Sequence, residues 1–308
     1  MGKYVIRRLL QMIPVVLGAT FLIFAMVFAL PGDPTDGKCG ERPCSPEYIA
    51  KYRADHNLDD PLVVQYGKYL GKLAQGDLGT NYFNNKVSDE LLQRYPNTAK
   101  LAAVAIGFEI LIGIGVGVLA GTRKGGLIDT GVMLATLVFI SIPIIVIGPV
   151  AQIVFAIKLG WFRPTVSYET PWNELLLPGL VLATLSIAYV ARLTRTNLVE
   201  NLRADYTRTA IAKGLTRRRA VGVHTLRNSL IPVVTYIGAD FGSLLGGAIV
   251  TERIFNIQGV GTMIFTGIAN RDGLSVVGAV TVLVFVFLFV NLLVDLLYGV
   301  LDPRISHD

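Results

Sequence analysis

Six long apolar runs alternate with polar segments along the chain. Each run has about 20 residues or more, which is the length that a helix needs to cross a hydrocarbon core of roughly 30 Å. The period-two alternation of a transmembrane β-strand is missing, so the pattern predicts six membrane-spanning helices. They cover residues 9–30, 99–122, 130–157, 174–193, 230–250 and 276–300, and we expect Pro143 and Pro149 to kink the third.

The composition supports this interpretation. Of the 308 residues, 52% are hydrophobic and 16% are charged. A chain this apolar lacks the polar surface that a soluble domain of its size would need. We therefore expect an all-α integral membrane protein.

Basic residues predict the orientation, because cytoplasmic segments of membrane proteins are enriched in Lys and Arg. They precede the first run, fill the second and fourth connections, and follow the sixth run. These residues are Lys3, Arg7, Arg8, Arg123, Lys124, nine between Arg192 and Arg227, and Arg304. Six crossings with both termini in the cytoplasm agree with this distribution.

The chain divides into three predicted parts: an N-terminal transmembrane helix (1–30), an extracytoplasmic subdomain (31–98), and a core with five transmembrane helices (99–308). The first run is too long for a signal peptide and lacks a small-residue cleavage pattern, so we expect it to be retained. Cys39 and Cys44 both lie in the outward subdomain. An oxidising exterior favours a structural disulfide between them, and two free thiols are the alternative.

Motifs for catalysis are missing from the sequence. It contains no phosphate-binding loop, no H-E-x-x-H and no G-x-S-x-G, and its three histidines are scattered. We therefore expect no catalytic residue, metal site or bound cofactor on this chain. If ATP drives its function, another chain must bind the nucleotide.

A basic segment, residues 204–234, lies between the fourth and fifth runs. Asp205 is suited to cap a helix that starts at Tyr206, Gly214 to end it in a left-handed conformation, and Thr216 to cap a second helix. Attraction to anionic headgroups would explain the charge but not the helix–Gly–helix layout. A DNA reader is disfavoured, because membrane spans tether both ends. We expect a protein to dock there.

This segment resembles the cytoplasmic coupling loop of ABC importer permeases of the dipeptide/oligopeptide/nickel family. The resemblance rests on Tyr206, Arg208-Thr209-Ala210, Lys213-Gly214-Leu215 and the stretch from His224 to Pro232. Further matching blocks are Arg7–Pro14, Leu30–Pro34, Gly76–Gly79, Arg94–Thr98, Glu252 to Gly261, Asn270–Asp272 and Asp302–Arg304. Gln258 and the pair Gly273-Leu274 depart from the family pattern on the outward side.

The resemblance implies a type I ABC importer permease fold and a B-type subunit of a bacterial inner-membrane transporter. Its partners would be a second permease of the same fold, two cytoplasmic ATPase subunits that carry ATP and Mg, an extracytoplasmic binding protein, and lipids. Peptides are the implied cargo, with nickel or another small cargo as the alternative. A secondary transporter is less consistent with the sequence, because its two halves share no inverted pattern.

Within the implied coupling loop, residues 200–228, one group would contact the ATPase: Asp205, Tyr206, Arg208, Thr209, Ala210, Ile211, Lys213, Gly214 and Leu215. Ala210, Ile211 and Leu215 are the expected apolar ridge. Contact with lipid headgroups is an equal alternative for Arg217–Arg219.

Three polar residues within the predicted spans are further candidates, because polar groups are costly in a membrane. Glu109 precedes a stripe of glycines spaced by four, so we expect a buried, hydrogen-bonded group at a helix interface, with a substrate ligand as the alternative. Asp240 and Ser243 share a face away from another glycine row, which favours a pathway-lining role; an interfacial ion pair is the alternative for Asp240. Residues 251–272 could fold back into the membrane or form a surface loop.

Overall fold

The computed structural model describes residues 2–28, 45–55, 57, 59–81 and 83–301. Cys39 and Cys44 lie outside the described residues, so their pairing stays a prediction. Strand pairing within the described ranges is limited to one bridge between Thr80 and Lys86. The architecture of this part of the chain is therefore helical, as the apolar runs predict.

We number the helices in chain order. They are α1 (Gly2–Phe28), α2 (Pro46–Asp55), α3 (Leu62–Ala74), α4 (Val87–Thr122), α5 (Leu127–Ser141), α6 (Ile144–Lys158), α7 (Leu176–Asn201), α8 (Asp205–Ala212), α9 (Leu226–Gly247), α10 (Ile249–Ile254), α11 (Val260–Ala269) and α12 (Gly273–Leu301). A helical turn, Arg217–Arg219, and a π-helical stretch, Ala220–Thr225, lead directly into α9. Helix α8 comes just before α9 in the chain, and α11 follows it. We call the end of the bundle that carries α8 the basic end and the end that carries α11 the far end.

Four helices among the described residues are long and apolar enough to cross a membrane: α1, α4, α7 and α12. The pair α5 and α6 makes a fifth if the two form one broken span. Helix α9 coincides with the predicted fifth span and carries Arg227 and Asp240. The multi-span helical class is confirmed, whereas six crossings and the orientation of the termini stay predictions.

The third apolar run forms two helices instead of one kinked helix. Helices α5 and α6 meet at an angle of 103°. Ile142 has extended backbone angles (φ −97°, ψ 122°), which are typical of a residue before proline. Pro143 therefore breaks the run, and α6 continues through Pro149.

Helix α4 begins at Val87, whereas the prediction started the second span at residue 99. Val87 and Leu91 are buried against Val260 and Val276, and this packing extends the helix toward the far end. Pro96 lies inside the helix and withholds one backbone donor. Residues 87–98 thus belong to α4, and their place in the extracytoplasmic subdomain stays a prediction.

Helix α7 is the centre of the bundle, since 56% of its most apolar stretch is buried against 33% for α4 and for α12. Helix α4 lies against it through the predicted glycine stripe. A Cβ at Gly117 would stand 2.6 Å from the Ala191 carbonyl oxygen, and one at Gly113 would stand 2.8 Å from Val190. Only glycine permits this approach of the two helices.

An ion pair braces α5 against α7 near the basic end. The Arg195 guanidinium donates to Asp129 Oδ1 at 2.9 Å and to Oδ2 at 2.7 Å, and the Gly125 amide donates to Oδ2 at 2.9 Å. The Asp129 side chain is almost completely buried. A bidentate pair that is also bonded to backbone satisfies a buried carboxylate well.

Candidate coupling segment and polar sites

Helix α8 begins one residue earlier than predicted. Ala204 is its N-cap residue, with extended backbone (φ −66°, ψ 149°) and no side-chain cap bond. Asp205 is already helical, so the prediction that it caps the helix is wrong. Its exposed carboxylate lies 3.8 Å from the Arg208 guanidinium, and a negative charge in the first turn still favours the helix dipole.

Gly214 ends α8 in the predicted way. Its φ is +91°, its amide donates to the Ile211 carbonyl at 2.9 Å, and the Leu215 amide donates to the Ala210 carbonyl at 3.2 Å. These two bonds form a Schellman motif, which favours glycine at the left-handed position. The corner between the two helical parts of the basic segment therefore depends on Gly214.

Thr216 occupies the predicted cap position of the second helical part, with extended backbone but no side-chain cap bond. The following turn, Arg217–Arg219, is exposed. The π-helical stretch Ala220–Thr225 then joins α9. The second helix of the basic segment is therefore the start of the predicted fifth span and not a separate element.

Two buried threonines attach α8 to the bundle. Thr207 is 1% exposed, and its hydroxyl donates to the Asn201 carbonyl at 2.8 Å. It also lies 3.1 Å from the hydroxyl of Thr225, which is fully buried. The sequence interpretation missed both residues; the only signal was that Thr207 and Ala210, three apart, share one helix face.

The rest of the surface of α8 is open. Tyr206 is 38% exposed and Ile211 is 45% exposed, while Arg208, Thr209 and Lys213 are exposed polar neighbours. The Tyr206 hydroxyl donates to Asn201 Oδ1 at 2.6 Å, which holds the ring beside the end of α7. The short helix thus presents two large apolar groups among cations.

The predicted apolar ridge is only partly on this surface. Ile211 is exposed, but Ala210 and Leu215 are half-buried. Tyr206, which the ridge did not include, contributes the second large exposed group. The structure therefore brings Tyr206 and Ile211 to the open surface of α8 and turns the other two residues partly inward.

Asp240 occupies the interface of α9 and α7. Its carboxylate accepts hydrogen bonds from the Ser186 hydroxyl at 2.5 Å and from the Ser243 hydroxyl at 2.6 Å. Asp240 is half-buried and Ser243 is exposed. The glycine row of α9 points elsewhere, because Gly238 and Gly242 pack on α12.

Glu109 is completely buried at the start of a π-helical stretch of α4, Glu109–Ile114. Both of its carboxylate oxygens lack a hydrogen-bond partner among the described residues. The burial agrees with the expectation, but the expected hydrogen bond is wrong. Next to Glu109, the glycine stripe of α4 packs on the Val190 side chain and the Ile187 carbonyl of α7. Neither group can donate a hydrogen bond to the carboxylate.

At the far end, Glu252 is buried within a polar clasp. The Thr98 hydroxyl donates to Glu252 Oε1 at 2.6 Å, and the Thr262 amide donates to Oε2 at 2.9 Å. The Val260 amide donates to the Thr98 hydroxyl at 2.9 Å. Burial raises the pKa of Glu252 to about 7, and these hydrogen bonds counter it only in part.

The clasp makes residues 251–272 a packed element of the bundle. Helix α11 buries Val260, Met263 and Ile264. A Cβ at Gly261 would stand 2.5 Å from Ile249 Cα, so only glycine fits beside α10. A plain surface loop, one of the two expectations for this segment, is therefore wrong.

Gln258, a departure from the family pattern, lies beside this clasp. Its carbonyl accepts from the Asn97 amide at 2.9 Å, and its side-chain oxygen lies 3.4 Å from Arg94 Nη1. Both contacts line a polar cavity of about 930 Å³ at the far end. Among the described residues, no cluster of three His, Cys, Asp or Glu could hold a metal ion.

Two family models match the chain. The Binding-protein-dependent transport system inner membrane component matches residues 113–307, and the N-terminal part of such membrane components matches residues 1–102. The chain is also similar over its whole length to curated proteins. Among them are the dipeptide transport system permease protein DppB of Alkalihalophilus pseudofirmus (37% identity, 100% of both chains) and the di/tripeptide transport system permease protein DppB of Pseudomonas aeruginosa (37%, 100% of this chain and 99% of the relative). The dipeptide transport system permease protein DppB of Escherichia coli K12 is 38% identical over 100% of this chain and 99% of the relative.

These matches cover nearly every residue that the fold and the polar sites use. The relatives are bacterial and the matched family is an inner-membrane component, which confirms the predicted location. The chain belongs to the family of binding-protein-dependent transport system inner membrane components, the permease subunits of ABC transporters.

Proposed function

We propose that this chain is a permease subunit of an ATP-driven importer of di- or oligopeptides. Three relatives that align over essentially their full length are named as dipeptide or di/tripeptide permeases. This chain contributes membrane-spanning helices, whereas its partners hydrolyse ATP and recognise the cargo. Those partners are a second permease of the same fold, two ATPase subunits that bind ATP and Mg, and an extracytoplasmic binding protein.

One observation supports a role of α8 in coupling the ATPases to the permease: its surface is open. Tyr206 and Ile211 are large, exposed and flanked by Arg208 and Lys213. An amphipathic helix of this kind suits a groove in which apolar groups give affinity and charges set the register. The ATPase surface is the partner that needs such a helix, because ATP-driven closure must move the permease.

The attachment of α8 suits the transmission of this motion. Thr207 and Thr225 connect its inner face to the π-helical start of α9. A push on α8 would therefore reach α9, which bears Asp240 and Ser243, and α7, which bears Ser186. Asp240 and Ser243 remain our candidates for the wall of the translocation pathway.

Transport by the reconstituted complex tests the proposal. This chain, the second permease and the ATPases would be placed in proteoliposomes, with the binding protein and radiolabelled dipeptide outside and ATP inside. We expect ATP-dependent dipeptide accumulation that requires the binding protein. Nickel uptake in place of dipeptide uptake would contradict the cargo, and accumulation without ATP would contradict the energy source.

A variant at the corner of the basic segment tests whether α8 transmits the motion of the ATPases to the permease. Gly214→Pro cannot adopt φ +91° and lacks the amide that bonds to Ile211. We expect it to lower ATP-driven uptake at least tenfold while the complex keeps its helical content. Gly222→Ala is the matched control, because a Cβ there meets nothing within 4 Å. Normal uptake by Gly214→Pro would contradict the transmission of motion through α8.

A further inference from the structure

Glu109, Ser186 and Asp240 lie at one level of the bundle. Helices α4 and α7 run parallel, because Gly179 packs on Val104 while Gly113 packs on Val190. Glu109 lies one turn before Gly113, and Ser186 lies one turn before Val190. Ser186 in turn donates to Asp240 of α9. Three helices therefore contribute to a single polar site.

The two carboxyl groups of this site differ in their surroundings. Glu109 is fully buried and has no hydrogen-bond partner among the described residues, and Asp240 is the charged residue with which it interacts electrostatically. Asp240 accepts two hydroxyl hydrogen bonds and reaches the surface. Glu109 is therefore the enclosed member of the site, and Asp240 is the member that is held by hydrogen bonds and open on one side.

The open side of Asp240 has the features that bind an organic cation. Ala239 and Ser243 next to it on α9 are exposed, so a ligand can approach from the side that this chain leaves uncovered. Tyr236, one helical turn before Asp240, and Tyr189, one turn after Ser186, form a ring pair at this level, with centroids 6.1 Å apart. A carboxylate, hydroxyl oxygens and aromatic faces together are the groups that coordinate an ammonium.

We propose that Asp240, with Ser186, Ser243 and the buried Glu109 behind it, forms a subsite for an organic ammonium group, and that the peptide N-terminus is the group it takes. This assignment rests on the proposed function, because a peptide importer must pass a zwitterion whose ammonium needs acceptors inside the membrane.

Thiol labelling measures the charge of the subsite directly. Ala239→Cys, in a chain whose Cys39 and Cys44 are replaced by Ser, places an exposed thiol beside Asp240. The purified complex without ATP is treated with a cationic and an anionic methanethiosulfonate, and the mass shift of this chain is followed. We expect the ratio of the cationic to the anionic labelling rate to be roughly five- to tenfold higher at this thiol than at a distant reporter thiol. Asp240→Asn should abolish this difference.

A matched reporter controls for general reactivity. Ile231→Cys is exposed on the same helix, eight residues from Ala239 and so about 12 Å away, where salt screens most of the charge. We expect little charge preference there and no effect of Asp240→Asn. Equal charge preference at both thiols, or preference that survives Asp240→Asn, would overturn the subsite.

Peptide protection identifies the ligand. A dipeptide at twice its dissociation constant should slow labelling of Ala239→Cys about threefold, while its N-acetyl form should not. Equal protection by both forms, or protection by neither, would overturn the ammonium assignment. Uptake by the wild-type complex is measured separately, so failure of the importer proposal and failure of the subsite remain distinguishable.

Discussion

The short helices α8 and α11 lie at opposite ends of the bundle and are held in different ways. Helix α11 is clasped by buried groups: Glu252 and Thr98 bond to its first amides, and Gly261 lets it touch α10. Helix α8 is attached through the buried Thr207, whereas Tyr206 and Ile211 of the same short helix are exposed.

This difference indicates what each helix does. A buried polar network that is fully satisfied fixes one geometry, because each unpaired group would be costly. Large apolar side chains that are exposed together on a short helix are typical of a surface that a partner covers. We infer that α11 is a fixed part of the permease and that α8 is completed by docking.

The largest effect is expected at the ion pair between Arg195 and Asp129, which holds α5 against α7 in the bundle to which α8 is attached. Arg195→Met leaves the buried Asp129 carboxylate without its ion-pair partner, which should cost about 3 to 5 kcal/mol of stability. Heat challenge followed by size-exclusion chromatography measures this loss. The double variant with Asp129→Asn should recover much of it, and an unchanged single variant would show that the basic end is not braced.

A smaller loss is expected when the far-end clasp is overpacked. Gly261→Ala places a Cβ 2.5 Å from Ile249 Cα, so α11 must move from α10 at a cost of roughly 1 to 3 kcal/mol. The same heat challenge measures it. Gly115→Ala is the control, since a Cβ there meets nothing within 4 Å; equal stability of both variants would contradict the fixed clasp.

The smallest effect is expected at the attachment of α8. Thr207→Val removes the hydroxyl that bonds to Asn201 and Thr225, which should cost about 1 kcal/mol locally. Hydrogen exchange should show faster exchange of the amides of α8 alone. Thr209→Val, whose hydroxyl is exposed and bonds within α8, should change exchange far less, and the reverse order would contradict the assigned faces.

Much of this architecture could be predicted from local signals. Apolar length identified the helical class, and the spacing of Gly113 and Gly117 identified the face of α4 that packs on α7. Gly214 was found because a positive φ at a helix end selects glycine. These features depend on backbone geometry that few residue types satisfy.

Other features depend on distant partners and could not be predicted. The bond between Thr207 and Thr225 joins residues whose contact requires the corner at Gly214. The start of α4 at Val87 is fixed by packing against α11 and α12. The clasp at Glu252 needs Thr98, which is 154 residues away in the sequence. Tertiary contacts, not local propensity, decide such positions.

Co-purification with the ATPases tests the central claim most directly. The pair Tyr206→Asp and Ile211→Asp places charges on the open surface of α8 and leaves Thr207 in place. We expect the ATPases to be lost from the purified complex, while Val223→Asp, an exposed apolar position of the same segment, retains them. Retention of the ATPases by the Tyr206/Ile211 pair would contradict docking through α8.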